Sequence, residues 1–552
     1  MSSHWFRNGD VYTVDAANPW ARSVVVLDER IAYVGDDEGA REHLRPDTVE
    51  VDLDGRFLMP GFVDGHDHLI GGGIGKLGVS LDGLVGKDAV IEQIRRYALD
   101  NPDLPVIRGH SWTPFQFGNG QRPHRTWLDP VTDVRPALMN SYDFHDGWAN
   151  TAAFIAAGID ASTPDPNPPA SFWPRDPDGF PSGCCCDGEA WMPIAAALGM
   201  FSLEAVKEAM QMTLFPAPSW GITTYFDAST VVRGALNDRV FQHLVDLDSA
   251  GELPVRIVAS HALRDPEIPV EQSIERLRQL NNDFRSPNVS ITTLKLFADG
   301  VGPQHTAAML EPYADEPDNF GPFVFDTDAM SRHVLAANAA GFDVHIHACG
   351  DAGVRGGLDA NEAAQRTLGR TGARNTICHL EFCNPADIPR FAELGVTANG
   401  TPIWGSDYRG EFLDAYPTLV GTERLERDFL PYGSVLRSGA TLTFGGDCPG
   451  TEIHEIAPLK QIESAVTRQR PGRPDDRIAS PHERMSLADA IRCYTVNGAY
   501  ALRLEDEVGS ITVGKQADLQ VLAISPFRVA SHEIHTIAVD ATMLGGRFTH
   551  QR

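Results

Sequence analysis

Apolar residues alternate or cluster in short runs over the first sixty positions. The stretches 10–15 (DVYTVD), 21–29 (ARSVVVLDE) and 30–36 (RIAYVGD) are rich in β-branched residues and bounded by turn residues, which predicts strands. Residues 49–68 continue the pattern, with Asp54-Gly55 as a tight turn. The stretches 509–524 and 536–549 read the same way. Strands at both ends of a long, different middle predict one small β domain, a β-sandwich built from both termini over 1–58 and 505–552.

Between them the rhythm changes. Apolar strands alternate with helical segments of roughly ten to twenty residues, the pattern of an α/β protein. Strands fall at 221–228, 254–263, 289–300, 342–351, 375–383, 396–404 and 440–450. Helices fall near 233–250, 270–283, 328–341 and 386–395, the third capped by Asp326-Thr327 and closed by Gly341. With the strand that ends at His66, eight strands are separated by helices, which predicts a (β/α)8 TIM-type barrel over 59–504. Two interruptions are large. Residues 70–220, rich in Pro, Gly and Trp, follow the first strand and are expected to form a lid or pocket wall; 405–434 follow the seventh.

Composition narrows the class. A chain of 552 residues is too long for one ordinary core. Net charge is −29 without a Lys/Arg run, which argues against nucleic-acid or anionic-membrane partners. No apolar run is long enough to span a bilayer and no signal peptide opens the chain, so the expected location is the cytoplasm. Eight cysteines without a C-x-x-C pair fit reduced thiols. Cys184, Cys185 and Cys186 are consecutive, and neighbouring residues rarely converge on one ion, so they are read as a partly buried loop.

In such a barrel, chemistry sits at the C-terminal ends of the strands. Strand one ends in His66-Asp67-His68, whose alternation puts both imidazoles on one face. Strand four carries Lys295 in an apolar run, on the face of Thr293 and Phe297. Strand five carries His345 and His347, strand six His379, and strand eight ends at Asp447 after two glycines. Each has a bland reading alone: a core histidine, a snorkelling lysine, a turn aspartate. Together they bring nitrogen and oxygen donors to one mouth, which suits zinc ahead of iron or manganese.

The order H-x-H, Lys, His, His, Asp resembles the amidohydrolase superfamily of metal-dependent hydrolases, and most closely the amidohydrolase family 3 branch, which includes N-substituted formamide deformylases. The motifs LMPGFVDGHDHL (58–69), LKLFADG (294–300), HACGD (347–351), CHLEF (378–382), DIPRFAELGV (387–396), FGGDCP (444–449) and GSITVGKQADL (509–519) carry the resemblance over nearly the whole chain. It implies that His66 and His68 bind a buried divalent ion, that His347 and His379 bind a second, that carboxylated Lys295 bridges the two, and that Asp447 touches the buried ion and moves protons. It implies hydrolysis of an amide-type C–N bond in a small molecule: an N-substituted formamide, an N-acyl amine or a cyclic amide. Deamination, or ester or lactone hydrolysis, on the same metal site is the nearest alternative. A non-catalytic metal-binding or regulatory protein is a further one, as is a mononuclear enzyme, with one ion and unmodified Lys295. By analogy a homodimer is expected.

Substrate contacts are expected from His145, in the insertion motif YDFHDGWAN (142–150), and from His261 at the end of strand three; His345 is expected either to face substrate or to support a metal ligand from behind. Trp112, Phe115, Phe117 and Trp173 either wall an apolar pocket or pack the insertion onto the barrel. Where the branch tends to carry Ser-Arg-Thr, this chain has Gln304-His305-Thr306, which makes His305 a further candidate and puts the branch's anionic contacts in question.

Overall fold

The computed structural model describes residues 3–118, 121–408 and 412–552. Eight parallel strands form one sheet in sequential order: β1 (Phe62–Asp67), β2 (Ile222–Asp227), β3 (Arg256–Ala262), β4 (Val289–Phe297), β5 (Asp343–Ala348), β6 (Thr376–His379), β7 (Thr397–Gly400) and β8 (Leu442–Phe444). Period-2 alternation sorts their side chains. On β4, Leu294 and Leu296 join the large core packed beneath the helices, while Lys295 and Phe297 face the barrel's cavity. Helices α1 (Gly234–Ser249), α2 (Val270–Asp283) and α3 (Thr327–Ala339) lie where the periodicity places them. Asp326 caps α3 by accepting the Ala329 N–H at 2.7 Å.

Backbone and carboxylate hydrogen bonds close the barrel between β8 and β1. The Asp447 N–H donates to the His66 carbonyl at 3.1 Å. Asp64 accepts from His66 N and Gly446 N, and Asp67 from His68 N and Cys448 N. Gly445 makes this approach possible: a Cβ there would lie 2.3 Å from the His66 carbonyl oxygen.

The terminal strands form two facing sheets. One holds four N-terminal strands between Ser3 and Asp52; the other mixes both ends of the chain, in the order 547–551, 539–544, 519–522, 57–60, 10–12, 20–21. Phe6, Val24, Val26, Leu58, Leu519 and Met543 fill the space between them. The expected strand over 509–524 is shorter than its apolar pattern: only Leu519–Leu522 is a strand, and Gly514, at φ +94°, turns the chain before it.

The long insertion is more than a lid. It carries a five-stranded sheet (79–80, 107–112, 137–141, 147–149, 184–185) with its own core around Val90, Ile94, Ile107, Trp112, Met139 and Trp148. Trp112 and Phe117 are buried in that core, and Trp173 in a second cluster with Trp191.

Candidate metal centre

His66 and His68 leave the end of β1 on one side, and Asp67 on the other, as alternation requires. His66 Nε2 lies 3.4 Å and His68 Nε2 3.5 Å from the same oxygen, Asp447 Oδ1. Ligand atoms about 2.1 Å from a shared ion at tetrahedral angles lie about 3.4 Å apart. His66 Nε2 is buried and has no hydrogen-bond partner, the condition of a lone pair awaiting a cation. Burial, with the nearby Lys295 and His68, holds the His66 imidazole well below its usual range, and burial also lowers His68. Both rings are therefore neutral donors, the form that binds metal. The opposite nitrogens are held: His66 Nδ1 by His345 Nε2 at 2.9 Å, His68 Nδ1 by the Ser229 carbonyl at 2.8 Å. Burial raises the Asp447 carboxyl, against the pull of His68 and Lys295. This donor set fits a divalent ion.

The other predicted donors lie around it. His379 Nδ1 is 3.6 Å from Asp447 Oδ2, and its ring centroid is 4.4 Å from that of His347. His347 Nε2 meets the Gly300 carbonyl at 2.9 Å. Among the described residues His347 joins no convergent triad of His, Cys, Asp or Glu atoms. Lys295 is buried, with Nζ 3.2 Å from Cys378 Sγ. Cys378 is a neighbour that sequence reasoning missed. Cys378 and His379 are adjacent and would face opposite ways on a regular strand. His379, at φ +76°, and Leu380, at φ +51°, turn the chain so that Cys378, His379 and His66 present atoms within 4.8 Å of one another. Burial pushes the Cys378 thiol up to about 12, so it meets Lys295 as a thiol.

A cavity of about 440 Å³ opens over this cluster, lined by His66, His68, Lys295, His347, His379 and Asp447. His145 and His261 line it too. His145 Nδ1 is 3.5 Å from Asp187 Oδ2; burial would lower its pKa, but Asp187 outweighs this and raises it. Burial and Arg276 lower His261 to about 4, so it is neutral. Trp404 stacks on His379, ring planes 18° apart.

Four expected contacts lie off the cavity wall. His345 is sequestered behind His66, stacked on Phe226. His305 pairs with Asp315 at 3.0 Å. Trp112 is buried in the insertion's core with its N–H on the Met139 carbonyl, and Phe115 packs against the main core. Their aromatic character is used in packing. The cysteine run also differs from a loop of separate thiols. Cys184 and Cys186, two positions apart on one face, place Sγ atoms 4.0 Å apart and converge with Asp146, and the Arg122 guanidinium donates to Cys186.

A parallel barrel with this donor set at the C-terminal mouth of its strands defines a metal-dependent hydrolase. The chain belongs to the amidohydrolase family: the family's Amidohydro_3 pattern matches residues 49–550. It is 28% identical to Protein LONG AFTER FAR-RED 3 of Arabidopsis thaliana, over 98% of this chain and 90% of that one. It is 26% identical to an N-substituted formamide deformylase of Arthrobacter pascens, over 99% and 98% of the two chains. Its fold is that of an uncharacterized metal-dependent hydrolase from Pyrococcus horikoshii, with a TM-score of 0.73 at 21% identity, covering 96% of this chain and 99% of the other. No helix among the described residues is long and apolar enough to cross a membrane.

Proposed function

We propose that the barrel mouth hydrolyses an amide-type C–N bond in a small molecule, an N-substituted formamide, N-acyl amine or cyclic amide. The observation that carries this reading is the convergence of two neutral imidazoles on one buried carboxylate, Asp447, at the floor of the cavity. His66, His68 and Asp447 would hold a divalent ion, zinc by donor preference. Such an ion supplies Lewis acidity and lowers the pKa of water in contact with it to about 7. Lys295, His347 and His379 lie on the adjoining wall and would hold a second ion once the Lys295 amine is carboxylated. An ammonium there repels a cation, whereas a carbamate offers two hard oxygens.

Asp447 is the proton carrier. Its Oδ atoms face the imidazoles and the cavity, and a carboxyl raised by burial is a better base than one in water. It takes the proton of the attacking water and delivers it to the leaving nitrogen, serving in turn as base and acid. His145 and His261, both on the cavity wall, would hold the carbonyl end of the substrate. The relative's name, an N-substituted formamide deformylase, supports a formamide as the first compound to try.

The test compares formate or amine release from a panel of formamides and N-acyl amines by zinc-loaded wild type and Asp447→Asn, with bound metal measured in both. Loss of about 10²–10⁴ in kcat with metal retained is expected. Activity within threefold of wild type, or no cleavage of any amide by the wild type, overturns the reading.

A further inference from the structure

Among the described residues three arginines line the cavity: Arg233, Arg264 and Arg276. Two are hydrogen-bonded to carboxylates. Arg233 makes a two-pronged pair with Glu189, and Arg276 pairs with Asp238. Arg264 makes no hydrogen bond to any described residue. It forms an ion pair with the buried Asp187 at 3.6 Å, too long for a hydrogen bond, and shares that carboxylate with His145 and Gly188 N. Yet Arg264 is firmly placed: its guanidinium carbon lies 3.9 Å from the centroid of the Phe297 ring. Resting on an aromatic face leaves a guanidinium's N–H edge free, with five donors in a rigid fork. With 26% of its side chain exposed, Arg264 is part of the cavity lining.

The described acidic residues of the wall have other partners. Asp143 accepts from Ser141 Oγ and Gln304 Nε2, Asp265 from Glu267 N, and Glu381 from Tyr416 and Gly302 N, while Asp447 faces His66 and His68. The same Phe297 ring has Lys295 Nζ 5.3 Å from its centroid, so Arg264 stands one ring away from the reacting mouth. Trp191, Met192, Leu263 and Ile268 give the same cavity apolar lining.

We infer that Arg264 is a specificity residue that reads a carboxylate on the substrate. The substrate class is then an amide bearing a carboxylate beside an apolar group, such as an N-acyl amino acid. The planar fork matches a carboxylate with two parallel N–H···O bonds. The inference rests on the barrel mouth being the site of amide hydrolysis.

Two probes differing only in the acid test it: N-formyl-phenylalanine and N-formyl-2-phenylethylamine. Binding to zinc-loaded protein is followed in stopped flow by the fluorescence of Trp191 and Trp404, before turnover, and formate release is measured later in the same samples. Wild type should bind the acid at least ~10-fold more tightly than the neutral amide. Arg264→Met should reduce that preference ~10- to 100-fold. Arg264→Gln, which keeps the donors without the charge, repeats the measurement should the methionine variant unfold. No preference in wild type, a preference that survives both variants, or no binding of either probe overturns the inference. An Arg264-dependent preference without formate release sustains it while counting against amide hydrolysis.

Discussion

His345 shows how one side chain serves another. Its Nε2 holds His66 Nδ1 at 2.9 Å while its ring stacks on Phe226, centroids 4.7 Å apart, so the donor nitrogen of His66 is aimed at Asp447. A partner that orients an imidazole ligand is worth about 10- to 100-fold in metal affinity. His345→Ala should weaken zinc binding by that factor, measured by competition with a chromophoric chelator. His345→Gln, which keeps a polar group toward His66, should recover part of it. A merely space-filling His345 would give equal zinc affinity in wild type and both variants. By strand alternation alone His345 and His347 look equivalent, two imidazoles on one strand face, and only the family resemblance singles out His347 as a ligand. Which of them faces the cavity depends on β1 lying against one and not the other, a tertiary fact without a local signal. Cys378 and Arg264 escaped for a related reason. Cys378 joins the site only because the chain reverses at His379, and Arg264 acquires meaning only beside Phe297 of another strand.

The strands themselves were legible because alternation and β-branched runs report a face directly. All eight barrel strands fall within the predicted stretches, and α2 is observed over Val270–Asp283, the range its pattern predicts. The insertion was not, because its strands are joined by irregular connections, a helix over 87–100, 3-10 turns and Pro-rich stretches, with no repeating strand–helix unit, and a core of its own leaves no period distinct from a packed loop. The pair Gly445-Gly446 was visible as a motif, but its reason lies in the closure of β8 on β1. A Cβ at Gly445 would meet His66 O at 2.3 Å and His66 N at 2.6 Å, both backbone atoms that cannot step aside. Gly445→Ala should therefore push β8 away from β1 and cost about 1–3 kcal/mol, as overpacking does. It should also move Asp447, whose N–H is bonded to the same carbonyl at 3.1 Å. The expected outcome is a lower melting temperature together with weaker zinc binding. A variant that melts and binds zinc like wild type would show that the closure tolerates a methyl group.

At the scale of the whole molecule, the donors come from distant parts of the chain: His66 and His68 from the first barrel strand, Lys295, His347 and His379 from its middle, Asp447 from its last. An ion held by β1 and β8 together fastens the barrel at its closure, and unfolding would scatter every ligand. A ligand that binds only the folded chain stabilises it by an amount set by its concentration over its Kd, about 2.7 kcal/mol at a hundredfold excess. Chelation should lower the melting temperature and added zinc should restore it, with a midpoint that rises with zinc concentration. Elemental analysis then separates one ion from two. The pairs around Asp447 Oδ1 do not involve Lys295, so Lys295→Ala should keep that ion while losing the one that needs a carbamate. About two ions per chain in wild type, falling to about one in the variant, is the expected result. Intact mass taken without acid should show the added carbon dioxide on wild type alone. One ion in both proteins would make Lys295 a contact for substrate or for Cys378 and leave the chemistry to a single centre. No ion in either, after purification with zinc present, would remove the metal from the mechanism altogether.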